Sequence, residues 1–230
     1  MSKEIQITQL SAVILARSHN PSLLNPDFLK TNGIVDKSWI VSAPTFSTEQ
    51  VSQVIFKEGV SLLLQPDKLI IDQYIEGAFK PENILLSRIA SQYFKTLPHV
   101  NYIALGINPV GFVPFESEEA VDNYIYNQLL RPGDWKFYPG SILEMSPTFT
   151  YIFKDFTIRL SLTKVIKIDD DNSDIKTFGI LFSGNIHRDI VLSGASPDRI
   201  IPLVERVALW SEDVDSYLSI INNCLLSNSQ

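Results

Sequence analysis

Apolar and polar positions alternate in short blocks between residues 51 and 76, a pattern typical of consecutive β-strands. Apolar runs at 54–56, 62–64 and 69–71 are separated by residues 57–59 and 65–68. Each separator has turn chemistry and the length of a hairpin connection. Residues 51–76 are therefore predicted to form three antiparallel strands in a meander, because such connections are too short for a parallel crossover.

The centres of these runs are apolar at consecutive positions rather than at every second one. A strand that is buried on both faces gives this pattern. We therefore expect the middle of the sheet to be covered on both sides, by helices or by another subunit. On this interpretation Leu63 lies in the core.

Further strands are predicted at 8–17, 39–42, 101–107, 151–153, 156–162 and 177–182. Helix patterns begin after Asn25, at Pro81 and after Ser117, and Ser211 is the expected N-cap of the last helix. Pro202 obscures the assignment of residues 196–210.

Groups of strands that are followed by helices predict an α+β fold. We expect a mainly antiparallel meander sheet packed with three to five helices. Residues 1–230 then form a single domain, in which the segments 1–133 and 134–230 are possible pseudo-repeat halves.

Charge and cysteine content narrow the functional classes. The chain has 230 residues and a formal net charge of −7, without a run of basic residues, and this disfavours a nucleic-acid surface. It has one cysteine, Cys224, which fits a reducing compartment. No apolar stretch reaches the length of a membrane span, so we expect a cytoplasmic protein without membrane contact.

Metal-binding patterns are weak. The three histidines, His19, His99 and His187, are isolated in the sequence, whereas zinc ligands usually occur as closely spaced pairs. The acidic run at 169–174 lacks the glycine and the distal glutamate of an EF-hand, which favours a solvated loop. No metal ligand is assigned, and we expect stability to be insensitive to chelators.

Catalytic patterns are equally weak. Cys224 borders an apolar helix stripe, where cysteine is usually an inert small hydrophobe. No nucleophile elbow and no glycine-rich phosphate loop is present. The acidic pairs Glu118-Glu119 and Glu212-Asp213 fall at predicted helix starts, where the helix dipole explains them. No catalytic or cofactor-binding residue is assigned.

Aromatic residues are the remaining candidates for contacts. Trp39, Trp135 and Trp210 could anchor a partner, although core packing explains each of them more simply. A second group of aromatic residues lies in stretches rich in Pro and Gly. These residues either form a partner surface or are buried by their own loops: Phe112, Phe115, Phe137 and Tyr138.

These observations favour a non-catalytic cytoplasmic protein that acts through protein–protein contacts, as an adaptor, an immunity-type inhibitor, a chaperone or an assembly component. A homodimer is one form such contacts could take. Two alternatives stay open. One is an enzyme whose site is assembled from residues distant in sequence, and the other is a protein that binds an apolar ligand between sheet and helices.

Overall fold

In the computed structural model, nine antiparallel strands form one continuous sheet. The structure describes residues 4–137, 139, 142, 144–168, 176–188 and 198–227. The strands are β1 (Gln6–Arg17), β2 (Phe46–Ser47), β3 (Ser52–Ile55), β4 (Val60–Leu64), β5 (Lys68–Tyr74), β6 (Asn101–Pro114), β7 (Thr148–Ile152), β8 (Thr157–Ile168) and β9 (Lys176–His187). Their order across the sheet is β2-β3-β4-β5-β1-β6-β9-β8-β7.

The meander predicted for residues 51–76 is confirmed. Strands β3, β4 and β5 pair in sequence, and Val54, Leu62 and Ile71 lie side by side across them. Gly59, with φ of +75°, lies in the first connection, where a left-handed backbone favours glycine. The α+β fold with a mainly antiparallel sheet is confirmed as well.

Two long strands at the centre of the sheet join its two sides. β1 pairs with β6 over most of its length, with Ala12 opposite Ile107. On one side β5 returns to pair with β1, and on the other β9 returns to pair with β6. The same order of long strand, helix and returning meander thus starts at β1 and again at β6. A duplication with halves 1–133 and 134–230 stays a prediction.

The described helices pack on one face of this sheet. Apolar residues of β1, β4, β5 and β6 form a cluster with the helices that flank them, and β8 and β9 form a second cluster. The helices are α1 (Pro26–Thr31), α2 (Leu86–Thr96), α3 (Glu118–Asn123), α4 (Ile201–Ala208) and α5 (Trp210–Ile220), and π-helical turns extend α3 through Tyr124–Leu129 and α5 through Ile221–Leu225.

Coverage of both faces by helices is therefore wrong for the described residues, and so is the core position of Leu63. Leu62 is fully buried beneath the helices, whereas Leu63 points to the opposite face and is half-buried. Its flanking partners across the strands are Gln53 and Ile70. Neighbouring side chains of a sheet shield one another, so an apolar residue can occur at consecutive positions without a second layer.

Strand β6 runs through Pro109, although the sequence predicted its end at Ile107. Pro109 has no N–H for the ladder. The register of β6 with β9 is unbroken, but Asn108 and Pro109 have no paired residue on β9. Gly184 of β9 provides the room, because a Cβ there would lie 3.0 Å from the Pro109 ring and 2.9 Å from the Tyr217 ring.

Two local predictions need correction. Residues 39–42 form only an isolated bridge between Val41 and Phe56 instead of a strand. The helix predicted from Pro81 starts at Leu86, because the buried Gln73 side chain binds the Asn83 carbonyl and the Leu85 N–H and so fixes a separate turn. The predicted helix starts at Asn25 and Ser117 are confirmed as N-caps.

Ser211 is not an N-cap, because α5 begins at Trp210 directly after α4. The sequence predicted that Asp213, together with Glu212, complements the dipole at a helix start. This prediction is wrong for Asp213. Asp213 is fully buried, and its Oδ2 accepts a hydrogen bond from Arg206 Nη1 at 2.7 Å. Its Oδ1 lies 3.0 Å from Arg188 Nη2. The carboxylate thus ties α4 and α5 to the segment that follows β9.

Because helices cover only one face of the sheet, substitutions at two neighbouring positions should lower the free energy of unfolding by different amounts. Leu62→Ala should destabilise the fold by about 2–5 kcal/mol, because it leaves a cavity beneath the helices. Leu63→Ala should cost about 1 kcal/mol or less, because that side chain is shielded only by its neighbours. Urea unfolding of both variants measures the difference. Equal losses would contradict the one-sided packing.

The buried ion cluster predicts a second pair of results. Asp213→Asn should cost about 3–5 kcal/mol, since it leaves Arg206 buried without a counter-charge. Asp215→Asn, two residues along the same helix and exposed, is the matched control and should change stability by about 0.5 kcal/mol at most. Thermal melts that move by the same amount in both variants would show that Asp213 has no special role.

Candidate functional site

The face of the sheet opposite the helices, which we call the uncovered face, carries a mixture of polar, small and apolar side chains. It is formed by every second residue of the strands, and these residues are absent from both apolar clusters. At its centre lie Ser11, Val13, Leu63, Ile70, Asp72, Asn108, Arg159, Ser183 and Asn185. It is wide and nearly continuous from β3 to β7.

A polar row crosses the middle of the uncovered face. Ser11 Oγ and Gln9 Nε2 both donate to Asp72 Oδ1, the second at 3.0 Å. Asn108 follows next to Ser11, and its Oδ1 accepts a hydrogen bond from Asn185 Nδ2 at 3.1 Å. These contacts hold the side chains in place on this face.

The charge of the uncovered face differs in sign from that of the whole chain. Lys68, Arg159 and Lys167 lie on it, and Asp72 is its one carboxylate among the described strand residues. Lys167 Nζ lies 3.8 Å from the centroid of the Phe112 ring. Burial lowers the pKa of Lys167. The chain as a whole has a net charge of −7, so this positive face is a local feature.

Two of the three histidines meet in one cavity. A cavity of about 410 Å³ lies where β1 ends and β6 begins, beside the end of α2, and both His19 and His99 line it. Arg17 and Asn101 also contribute to its lining. His187 lies elsewhere, opposite Gly106 and Thr157 at the end of β9.

His19 is the most unusual member of this cavity. Only 6% of it is exposed, and its Nδ1 lies 3.3 Å from the Tyr93 hydroxyl. Its Nε2 is buried and has no hydrogen-bond partner among the residues that the structure describes. Burial lowers the pKa of His19, with a smaller opposing effect from the charge of Asp67. A buried polar atom without a partner costs about 1–3 kcal/mol, which makes a missing partner at this position notable.

The backbone next to His19 is strained. Ser18 has φ of +62°, the only positive φ of a non-glycine residue in the described part of the chain. The segment is held there by backbone hydrogen bonds from Ala16 N to Asp67 O and from His19 N to Pro66 O, in the turn between β4 and β5. Such strain persists only where surrounding contacts enforce it, and it is frequent at ligand-binding sites.

A second cavity, of about 610 Å³, has a different character. It lies between the start of β1, the end of β5 and α5, and its lining includes Ile7, Ile75, Phe79 and Leu218. No ionisable side chain lines it. Gln6 and Thr8 are the polar side chains of its lining, so this volume could hold a largely apolar, uncharged group. The smaller cavity at His19 is therefore the better candidate for specific recognition.

The aromatic candidates are dispersed. Trp39 is buried against Phe56, and Trp210 contacts Phe79 edge-on. Trp135 is partly exposed beside Tyr126. The second aromatic group splits in the same way: Phe112 and Phe115 are buried, Phe137 is 75% exposed, and Tyr138 lies outside the described residues.

The acidic and thiol candidates also remain apart. Cys224 is exposed and lines a small cavity with Tyr124 and Phe149. Glu118 bridges to Lys164, at 2.8 Å between Oε1 and Nζ. The acidic run at 169–174 lies outside the described residues, so its interpretation is unchanged.

Arg17, Ser18 and the positive residues of the uncovered face were missed from the sequence. Arg17 ends a strand and Ser18 follows it, both as ordinary polar residues, and a positive φ at serine has no sequence signature. Lys68 lies far from Arg159 and Lys167 in the chain, and only the strand order places it on the same face. The alternation around Arg159, between the buried Ile158 and Leu160, did indicate a solvent-facing side.

Comparison with known proteins identifies no functional residue. No protein-family model matches the chain, and no curated protein matches it significantly. In the described residues, no helix combines the length and the apolar composition needed to cross a membrane. The proposals below therefore rest on the geometry of this chain.

The environment of His19 predicts how its imidazole titrates. Because burial disfavours the charged ring, its pKa in the folded protein should lie below the ordinary value of about 6.5. The unfolded chain then takes up this proton at higher pH than the folded chain, so this site lowers stability as the pH falls from about 6.5 towards the folded-state pKa. NMR titration of the ring, assigned with His19→Asn, measures the pKa. A value at or above 6.5 would contradict the buried position.

Proposed function

We propose that this chain is a non-catalytic cytoplasmic protein that acts through protein–protein contacts, and that its uncovered face receives an acidic surface of a partner protein. The observation that carries the proposal is the one-sided packing of the helices. A wide sheet face is left with ordered polar side chains and half-buried apolar ones. The single cysteine, Cys224, supports a reducing compartment.

The shape and composition of the uncovered face support a protein rather than a small molecule as its partner. Small-molecule sites are concave, whereas protein interfaces are broad and mix apolar and polar groups in roughly the proportions of an ordinary surface. Leu15 is 38% exposed and Tyr74 is 54% exposed on this face, beside the polar row of Ser11 and Asp72. A partner can bury these apolar groups while its polar groups reach the row.

The charge distribution supports an acidic partner. Lys68, Arg159 and Lys167 are spread over the face, and Asp72 is already bonded to Gln9 and Ser11. Complementary charges steer association and discriminate between partners more than they add affinity. A second copy of this chain would bring the same positive charges to the interface, so an identical face is a poorer partner than an acidic one.

Charge reversal on the uncovered face tests this proposal. The triple variant Lys68→Glu, Arg159→Glu and Lys167→Glu should reduce partner association at least tenfold, because the steering charges change sign. The control variant carries Lys37→Glu, Lys80→Glu and Lys95→Glu, three exposed positions outside the uncovered face, and has the same net charge. Association is measured with the proteins that co-purify with the wild-type chain from its native host.

The expected result is a protein with an acidic surface that the wild type and the control retain and the uncovered-face variant loses. Equal retention by all three would contradict the proposal. Light scattering of the same three proteins provides the other decisive result. A wild-type dimer that only the uncovered-face variant dissociates would assign the face to a second copy and overturn the acidic partner.

The enzyme alternative stays a prediction. Its best location is the cavity at His19 and His99, where two imidazoles and Arg17 converge. The apolar-ligand alternative has its best location in the cavity of about 610 Å³ that Ile7, Ile75 and Leu218 line. Neither cavity opens onto the centre of the polar row, so both alternatives can be tested separately from partner binding.

A further inference from the structure

We propose that the cavity at His19 is a binding site for a small organic anion, a ligand with one carboxylate or phosphate group and an apolar body. This site is separate from the partner surface proposed above. Its volume of about 410 Å³ lies within the range of about 300–1,000 Å³ typical of small-molecule sites. Three features of its lining specify the ligand.

The first feature is the charge at the mouth of the cavity. Arg17 and His99 are both exposed residues of the lining, and no carboxylate of the described residues lines the cavity. Asn101, also in the lining, accepts a hydrogen bond from Arg199 at 3.3 Å, which brings a second guanidinium to the rim. Asp67 is the acidic residue whose charge reaches His19, from the turn after β4. A chain with 26 acidic and 19 basic residues thus gathers arginine at this rim.

A guanidinium binds carboxylate or phosphate through two parallel hydrogen bonds. The ligand's anionic group therefore lies at Arg17, within reach of the His99 ring. The strained Ser18 connects Arg17 to His19. Its left-handed backbone turns the chain sharply between these two residues, so that both line the same cavity.

The second feature is the buried imidazole of His19. The ring is 6% exposed and packs between Tyr93 and Tyr102, with ring centroids 6.1 and 6.2 Å away. One ring nitrogen faces the Tyr93 hydroxyl, and the other has no partner. A neutral imidazole has one donor and one acceptor. A ligand in the cavity supplies the missing partner, either directly or through an enclosed water.

The third feature is the apolar part of the lining, made by Leu23, Leu97 and Val100. These side chains have no hydrogen-bonding groups, so they select a ligand with a hydrocarbon or aromatic body over a bare inorganic ion. The charged mouth and the apolar wall together define an amphipathic anion.

The three histidines make a direct test possible. Phenyl phosphate and benzoate are the probes, and benzyl alcohol is the neutral compound of similar shape. The ring signals of His19 and His99 are followed by NMR during titration, with His187 outside the cavity as the internal reference. We expect saturable shifts at His19 and His99, with a Kd of about 1 mM or tighter for at least one anion. His187 should not move.

Substitutions separate a specific site from general charge attraction. Arg17→Ala should weaken binding of the anionic probe at least tenfold, and His99→Ala, which leaves the His19 signal for detection, should weaken it severalfold. Arg131→Ala removes an exposed arginine outside the cavity and should leave the Kd unchanged. Retained dispersion of the NMR spectrum confirms that each variant is folded.

Four outcomes would overturn the proposal. Unmoved His19 and His99 signals at about ten times the expected Kd would show that neither anion binds. Equal shifts with benzyl alcohol would show that the negative charge is not recognised. Equal affinity for inorganic phosphate would remove the role of the apolar wall. Equal weakening by Arg17→Ala and Arg131→Ala would reduce the effect to net charge.

Discussion

The antiparallel pairing of β1 with β6 is the contact on which the rest of the structure depends. It joins the strands of residues 46–74 to those of residues 148–187, and it places two apolar clusters next to each other on one face. Leu218 packs against both clusters. Because side chains alternate along a strand, this one register decides which residues of both sides are covered by helices.

The packing of helices on only one face of the sheet explains the positions of the polar row and of the cavity at His19. Polar groups of β1, β5, β6 and β9 that face away from the helices form the row from Asp72 to Asn185. The long strands also end at the rim of the sheet, where β1 leaves through the strained Ser18. This turn brings His19 beneath Tyr93 of α2 and forms the small cavity beside the start of β6. The broad face and the small cavity follow from the same strand arrangement.

Much of this fold could be predicted from local sequence signals, and each failure has a physical cause. The meander of residues 51–76 and the caps at Asn25 and Ser117 depend on neighbouring residues, and they are confirmed. Pro109 and Asp213 were misplaced because residues distant in sequence help to form their environments, and Leu63 was misplaced because its apolar run does not show which face of the strand the helices cover. Pro109 needs Gly184, and Asp213 needs Arg188 and Arg206. Pro109 and Gly184 are too far apart in the chain for a local sequence pattern to include both.

The candidate sites were less predictable than the fold. The isolated histidines show no metal-like spacing, and spacing carries no information about the approach of His19 and His99 across the end of the sheet. Likewise Lys68 shares one face with Arg159 and Lys167 of β8 only through the strand order. Both sites are products of long-range topology, which is why composition alone suggested only an acidic protein.

Thiol reactivity in β1 is the most direct measurement of one-sided coverage. In a Cys224→Ser background, Leu15→Cys and Ile14→Cys place a single thiol on opposite faces of the central strand, at positions 38% and 0% exposed. Reaction with a maleimide under native conditions should be rapid for Leu15→Cys and should require unfolding for Ile14→Cys. Protection of both thiols in the isolated protein would show that the second face is also covered and would contradict the account.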